Sequence, residues 1–330
     1  MDATLSNKIK FASFVCTIMV VFRHSLNYLA FWGSYTGKGM SGFVENACSI
    51  LTEVAVPYFF LISGLFFFRR LYNTIDAYFQ MIEKKSKSLL IPFLFWNLIG
   101  GCILYFILHE SLGDNPISLI YNCLLSKWYA PLWFVRDLII MMLLVPLYRW
   151  SLNYRYLRLC ILAILFYFWY PIDCSLLSTE GLLFFYAGGI ISNNQHILDF
   201  KINKWLLLSM LLLWVISCMF SFPQYHILIH KVNTILGIIV LWGMIDYFPQ
   251  NNAQLSQKIW GTAFFIYVTH FYLIKALKRM IASQFYENDV IALATYLLLP
   301  VVICFILCCI SLFFQKKLPK VYSIITGNRF

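Results

Sequence analysis

Residues 291–314 read IALATYLLLPVVICFILCCISLFF, from Ile291 to Phe314 without one charged side chain. A helix rises 1.5 Å per residue, so about 20 mostly apolar residues cross a hydrocarbon core roughly 30 Å thick. The stretch therefore predicts a membrane-spanning helix. Nine similar stretches precede it, at roughly 11–31, 47–68, 89–108, 132–148, 159–172, 181–193, 205–222, 232–247 and 259–278. The fifth and sixth are short, and the polar break Asp173–Glu180 separates them. The expected fold is all-α, a polytopic membrane bundle of about ten transmembrane helices forming one domain over 1–330. No internal repeat, heptad pattern or soluble domain is visible.

The composition agrees. The chain has 330 residues, 61% hydrophobic, 19% aromatic and 12% charged, with mean hydropathy +0.76. Soluble domains carry roughly 45–50% apolar and about 25% charged residues. These values exclude a soluble enzyme, a disordered protein and a nucleic-acid-binding module. The formal charge of +11 is read first as topology. With the N-terminus inside, seventeen of the 25 lysines and arginines face the cytoplasm, six face outward, and Arg23 and Arg136 lie within spans. Both termini are therefore expected inside. The first span is read as a retained signal anchor, because its apolar stretch is long, contains Arg23 and His24, and no small-residue cleavage site follows. Most of the ten cysteines sit in apolar runs as small hydrophobes. Neither C-x-x-C pairs nor His/Cys metal spacing occur, so no metal is expected. Cys48, Cys123 and Cys174 fall near the outer surface, where one bridge has room to form.

Charged groups inside spans are expensive, usually face the bundle interior and usually serve a function. The candidates are Arg23, His24, Glu53, Arg136, Asp137 and His270. His24 is thirteen residues along a helix running outward, about 20 Å from the inner edge. Glu53, Arg136 and Asp137 lie early in helices running inward, and His270 is near the middle of the ninth span. All six share the middle or outer half of the membrane, which predicts a polar chamber there. The bland alternative is scattered interfacial snorkelling. His24 is the strongest candidate, because neutral imidazole can accept a hydroxyl proton near pH 7. A lone buried histidine is otherwise a hydrogen-bonded structural residue, and the same alternative holds for His270. Adjacent on a helix, Arg23 and His24 point about 100° apart. Arg23 is therefore expected to pair with Glu53 or Asp137 while His24 faces the chamber. Arg136 is either ion-paired with Asp137 or available to bind an anionic group or an oxyanion.

The inner loop 69–88 is a different kind of site. Arg69 and Arg70 close the second span, and Lys84, Lys85 and Lys87 open the third. Between them, Leu71, Ile75, Tyr78, Phe79 and Ile82 share one side of an amphipathic helix suited to the interface. Five positive charges at a helix mouth can hold phosphates or anionic lipid heads, although plain positive-inside retention also explains them. Pro57 and Pro92 should bend or open their helices, and Ser63-Gly64 allows close helix approach.

Read in order, these residues resemble the acyltransferase-3 family of integral membrane acyltransferases over most of the chain. Phe14-Val-Cys-Thr-Ile-Met-Val-Val-Phe-Arg-His-Ser25 looks like the family's first helix, ending in its histidine. Val56-Pro-Tyr-Phe-Phe-Leu-Ile-Ser-Gly64 followed by Arg69-Arg70 is similar to its second, and Lys84-Lys-Ser-Lys-Ser-Leu-Leu-Ile-Pro92 to the entry of its third. Pro131-Leu-Trp-Phe-Val-Arg-Asp137, Phe184-Phe-Tyr-Ala-Gly-Gly189 and Phe265-Ile-Tyr-Val-Thr-His270 fit its later helices. Two positions depart from the pattern. Ser13 stands where a basic residue is common, and Arg69-Arg70 replaces Arg-x-x-Arg.

The resemblance implies transfer of an acyl group, usually acetyl from cytoplasmic acetyl-CoA, to a hydroxyl of a surface polysaccharide or glycolipid. It implies a multi-pass protein of the cell membrane, the bacterial inner membrane, in contact with membrane lipids. His24 would be catalytic, taking the hydroxyl proton or becoming transiently acylated. Joined to the reading of the residues, this gives a mechanism in which Glu53 would orient His24 and Arg136 or tyrosine hydroxyls would stabilise the oxyanion, with His270 a further catalytic candidate. Arg69, Arg70, Lys84, Lys85 and Lys87 would meet the CoA phosphates. The rival reading is a transporter or flippase for a glycan or lipid. Such a protein often shows an inverted repeat and has no need of a one-sided phosphate patch.

Overall fold

The computed structural model describes residues 3–69, 74–169, 177–194, 201–219, 226–247 and 254–328. Arg70, Leu71 and Cys174 lie outside the described residues. Among the described residues every regular element is helical. The first elements are α1 (Ala3–His24), α2 (Tyr28–Trp32), α3 (Gly39–Thr52), α4 (Ala55–Arg69), α5 (Ile75–Lys85) and α6 (Ile91–Cys102). Then come α7 (Pro116–Leu124), α8 (Trp133–Leu143), α9 (Val145–Leu152), α10 (Arg155–Trp169) and α11 (Thr179–Asn193). The last are α12 (Lys204–Met219), α13 (His226–Ile245), α14 (Gln254–Trp260), α15 (Ala263–Gln284), α16 (Asp289–Lys317) and α17 (Pro319–Thr326).

Within the described residues, each of the ten apolar stretches is largely helical. Among the described residues, four helical segments are long and apolar enough to cross a membrane: Leu5–Trp32, Gly39–Arg69, Ile75–Ile107 and Asp289–Lys317. A fifth span forms if the bent pair Ala130–Leu143 and Val145–Leu152 is taken together. Large apolar side chains point outward along these helices, as on α16, where Leu298, Val301, Val302 and Phe305 are exposed. Exposed apolar surface of this extent suits lipid rather than water.

Prolines shape the spans. Pro57 lacks the N–H that would bond the Glu53 carbonyl, and the helix breaks there between α3 and α4. Pro92 follows a π-helical turn, Ser86–Leu90, in which the Ile91 N–H reaches back to the Ser86 carbonyl. Pro92 also cannot serve the Ser88 carbonyl, and Gly327 packs so close to that oxygen that a Cβ would lie 2.2 Å from it. The stretch 132–148, expected as one straight span, is instead bent by 61° at Leu144. Pro146 removes the donor that would have bonded the Met142 carbonyl, which accounts for the bend.

The chain divides into two compact units, residues 1–59 with 199–313, and 60–198 with 314–330. In the first, α1 is the central helix and packs against α3, α13, α14 and α15. In the second, α10 pairs with α11, and α17 lies on α6, where the Trp96 indole donates to the Ile325 carbonyl at 2.9 Å. Gly64 and Gly188 bring α4 and α11 together, as the Ser63-Gly64 pair predicts. A Cβ at Gly64 would stand 2.0 Å from the Phe185 carbonyl oxygen, and one at Gly188 would stand 2.1 Å from that of Leu61. The amphipathic helix expected after the second span is α5. Its Ile75 and Phe79 are exposed, Met81 is buried, and the Tyr78 hydroxyl donates to the Leu143 carbonyl at 3.1 Å. Cys48 and Cys123 are free thiols rather than partners in a bridge, and burial pushes the Cys123 thiol above its ordinary range.

Candidate active site

The last turn of α1 carries Arg23 and His24, and its geometry sends them to different helices. The Arg23 guanidinium donates to Glu53 Oε1 at 2.9 Å and to the Ser49 carbonyl at 3.0 Å. The other Glu53 oxygen meets Nδ1 of His230 on α13. Arg23 is therefore held against the C-terminal end of α3, where the Glu53 N–H turns to the Ile50 carbonyl and the Ser49 carbonyl meets the guanidinium. Of the two partners expected for Arg23, the structure selects Glu53.

His24 turns toward α15. Its ring centroid is 5.2 Å from that of His270, with the planes tilted by 43°. The edge of Phe271 also packs on it, at 5.2 Å. Among the described residues, nothing hydrogen-bonds to the His24 ring. The expectation that Glu53 orients His24 is therefore corrected: the carboxylate binds Arg23 and His230 instead. The reason is the 100° separation on α1, which turns the two neighbours to different faces of the helix, Arg23 to α3 and His24 to α15.

His270 is fully buried, and its Nδ1 lies 3.1 Å from the Ile266 carbonyl one turn earlier. A carbonyl only accepts, so that bond places the ring proton on Nδ1. Nε2 is left as a lone pair without a partner. Two imidazoles, one free of hydrogen bonds and one with an unserved acceptor, face each other within a membrane-spanning unit. Such a pair can accept and relay a hydroxyl proton.

Arg136 and Asp137 lie in the other unit. Arg136 donates to Asp137 Oδ1, from Nε at 2.9 Å and from Nη2 at 2.8 Å. It also reaches the Leu125 carbonyl at 3.3 Å. Asp137 is fully buried, and its second oxygen accepts the Ser178 N–H at 2.9 Å. Of the two readings open for Arg136, the ion pair is the one observed. The pair ties α8 to the start of α11.

On the inner loop, Arg69 closes α4 and Lys84 is exposed on α5. The Lys85 ammonium sits over the Phe67 ring, 4.6 Å from its centroid. Lys87 is paired with Glu83 at 2.7 Å, an i,i+4 ion pair that offsets one charge of the patch. His230 escaped sequence reasoning because it precedes the expected start of the eighth span at 232 and so looked like a loop residue. Its ionisable character beside an apolar run was the available signal.

A helical bundle with long apolar helices and charged side chains paired within them defines an integral membrane protein. The family model described as Acyltransferase domain, that of the acyltransferase-3 family, matches residues 9–312. The chain belongs to this family and is a membrane acyltransferase. It is similar to the succinoglycan biosynthesis protein ExoH of Rhizobium meliloti (strain 1021). The two are 24% identical over 300 residues, covering 83% of this chain and 80% of the relative. No solved structure matches significantly.

Proposed function

We propose that the protein is an O-acyltransferase that moves an acyl group, most simply acetyl, from cytoplasmic acyl-CoA to a hydroxyl of a surface polysaccharide or its glycolipid precursor. Family membership supports acyl transfer, and the relative's role in succinoglycan biosynthesis supports a polysaccharide acceptor. The observation that carries the site is the His24–His270 ring pair, 5.2 Å apart, with one ring unbonded and the other holding an unserved acceptor.

In this reading His24 takes the proton of the acceptor hydroxyl as its oxygen attacks the thioester carbonyl. The C–S bond then breaks, and the departing CoA thiolate takes that proton from the imidazolium. His270 supports the transfer through its free Nε2. The Arg23–Glu53–His230 cluster fixes the rotation of α1, so that His24 faces α15. Arg69, Lys84 and Lys85 contribute positive charge for the CoA phosphates, with Arg70 completing the sequence patch. Lys87 contributes less, being neutralised by Glu83. The protein would act as a multi-pass protein of the cell membrane, the inner membrane in a bacterium.

The test is transfer of label from acetyl-CoA into the polysaccharide fraction of membrane vesicles from cells making this protein. His24→Ala, present at the wild-type level, should transfer at background. Wild-type transfer by His24→Ala would remove the histidine from the chemistry. If the wild-type protein transfers no label from acetyl-CoA, the assignment of acetyl as the donor group is wrong. Proton- or sodium-coupled uptake of a glycan would instead favour the transporter reading.

A further inference from the structure

The backbone immediately after His24 is fastened by two charged side chains that sequence reasoning did not single out, Glu45 on α3 and Lys278 on α15. The last four carbonyls of a helix have no partner within it. At the end of α1, the Val21 carbonyl accepts from the Ser25 hydroxyl at 2.8 Å and the Phe22 carbonyl from the Ser25 N–H at 3.0 Å. The His24 carbonyl accepts from the Lys278 ammonium at 3.4 Å, and the same ammonium donates to the Leu26 carbonyl at 2.5 Å. A cation at this position also complements the negative end of the helix dipole.

One residue further on, the Asn27 N–H donates to Glu45 Oε2 at 2.6 Å, and the Asn27 amide donates to the Ala292 carbonyl at 2.7 Å. Asn27 and Glu45 are both fully buried. Glu45 Oε1 has no hydrogen-bond partner. A buried carboxylate with one unserved oxygen is an inefficient way to hold a single N–H, since a neutral amide would do so with less desolvation. Glu45 and Lys278 also lie within electrostatic reach of each other. Glu45 thus faces the cation that grips the Leu26 carbonyl, the other end of the peptide group whose N–H it holds.

This arrangement also couples the two imidazoles. Lys278 is eight residues after His270 on α15, about two turns along the same helix. A single rigid helix therefore presents His270 to the His24 ring and grips the His24 backbone. Any slide of α15 along α1 has to break the Lys278 bonds.

We infer that Lys278 and Glu45 are positioning residues for His24, acting as a buried cation and anion that clamp residues 24–27 and hold its ring against His270. The inference rests on the reading of His24 as the group that handles the hydroxyl proton. Displacing a catalytic group by about 1 Å can cost on the order of a hundredfold in rate without affecting distant binding contacts. Loss of the clamp should therefore lower kcat and leave the KM for acetyl-CoA unchanged.

The experiment uses the full-length protein in membrane vesicles, with labelled acetyl-CoA and the polysaccharide fraction as acceptor. Variants are Lys278→Met, Lys278→Arg, Glu45→Ala, Glu45→Gln and His24→Ala, each normalised to the amount folded by detergent gel filtration. Lys278→Met and Glu45→Ala should lose at least about tenfold in kcat with the acetyl-CoA KM within about twofold. Lys278→Arg, which keeps a cationic donor, should recover most of that loss, whereas Glu45→Gln, which keeps an acceptor for Asn27 but not the charge facing Lys278, should recover less than half of it. A merely structural role would lower the folded amount and leave the kcat of the remaining protein intact. If Lys278→Met does not accumulate, the Glu45→Ala and Glu45→Gln pair decides by the same split. Wild-type kcat in Lys278→Met and Glu45→Ala, with His24→Ala inactive, overturns the clamp alone. An active His24→Ala overturns the catalytic reading beneath it.

Discussion

The sharpest consequence of the packing concerns Gly64. A Cβ there would stand 2.0 Å from the Phe185 carbonyl oxygen, whereas ordinary contact begins at 3.4 Å. Gly64→Ala therefore has to part the α4 and α11 backbones by more than 1 Å. No side chain can rotate away, because the obstacle is main chain. Overpacking of this kind costs about 1–3 kcal/mol, and a backbone clash belongs at the top of that range. The new methyl returns about 1 kcal/mol of helix propensity, which leaves a net loss of about 2 kcal/mol. The separation also weakens the tilted and edge-to-face packing of Phe67 and Phe68 on Phe185, whose centroids lie at 5.5 and 5.6 Å. At about 2–4 °C per kcal/mol, the melting temperature of the detergent-purified protein should fall by about 5 °C. Gly188→Ala should behave alike, with the Leu61 carbonyl at 2.1 Å. Gly101→Ala is the control, since its nearest neighbour is the Trp128 side chain at 3.1 Å, and its melting temperature should stay within about 2 °C. Equal melting temperatures for the wild type and Gly64→Ala would refute the close approach of α4 and α11.

Three further outcomes follow from the polar groups. Asp137→Asn strands the Arg136 guanidinium, and breaking a buried pair costs about 3–5 kcal/mol, so the variant should be poorly recovered from membranes or melt far below the wild type. Glu53→Gln removes the charge shared by Arg23 and His230, and label transfer per folded molecule should fall by about tenfold as α1 loses its rotational anchor. Lys84→Glu combined with Lys85→Glu should raise the acetyl-CoA KM with kcat retained, an effect that shrinks in high salt, whereas Lys87→Ala should change KM little because Glu83 already neutralises it.

Much of the fold is legible along the chain. Bilayer thickness sets the length of an apolar helix, so hydropathy locates the helices without knowledge of their neighbours. Pro57 and Pro92 announce local disruption because a missing N–H acts within one turn, and Gly64 announces close approach. Pro146 carried the same signal, and weighing it would have placed the 61° bend in the fourth span. The candidate site, as proposed above, is legible in part. His24 and His270 stand out as ionisable groups in apolar surroundings, and the ring pair joins them. Arg136 stands out equally, yet it is occupied by its own neighbour, a pairing that side-chain geometry rather than sequence spacing decides.

Composition and span length determine that this is a helical membrane protein, because each reflects a local exchange between side chain and solvent. Which helices meet is a different matter. Arg23 could have paired with Glu53 or Asp137, and only the rotation of α1 against α3 settled it. His230 meets Glu53 from 177 positions further along the chain, and Lys278 grips a carbonyl 252 residues away. Such pairings depend on how several helices turn and pack together, a property that the periodicity of any one helix does not contain.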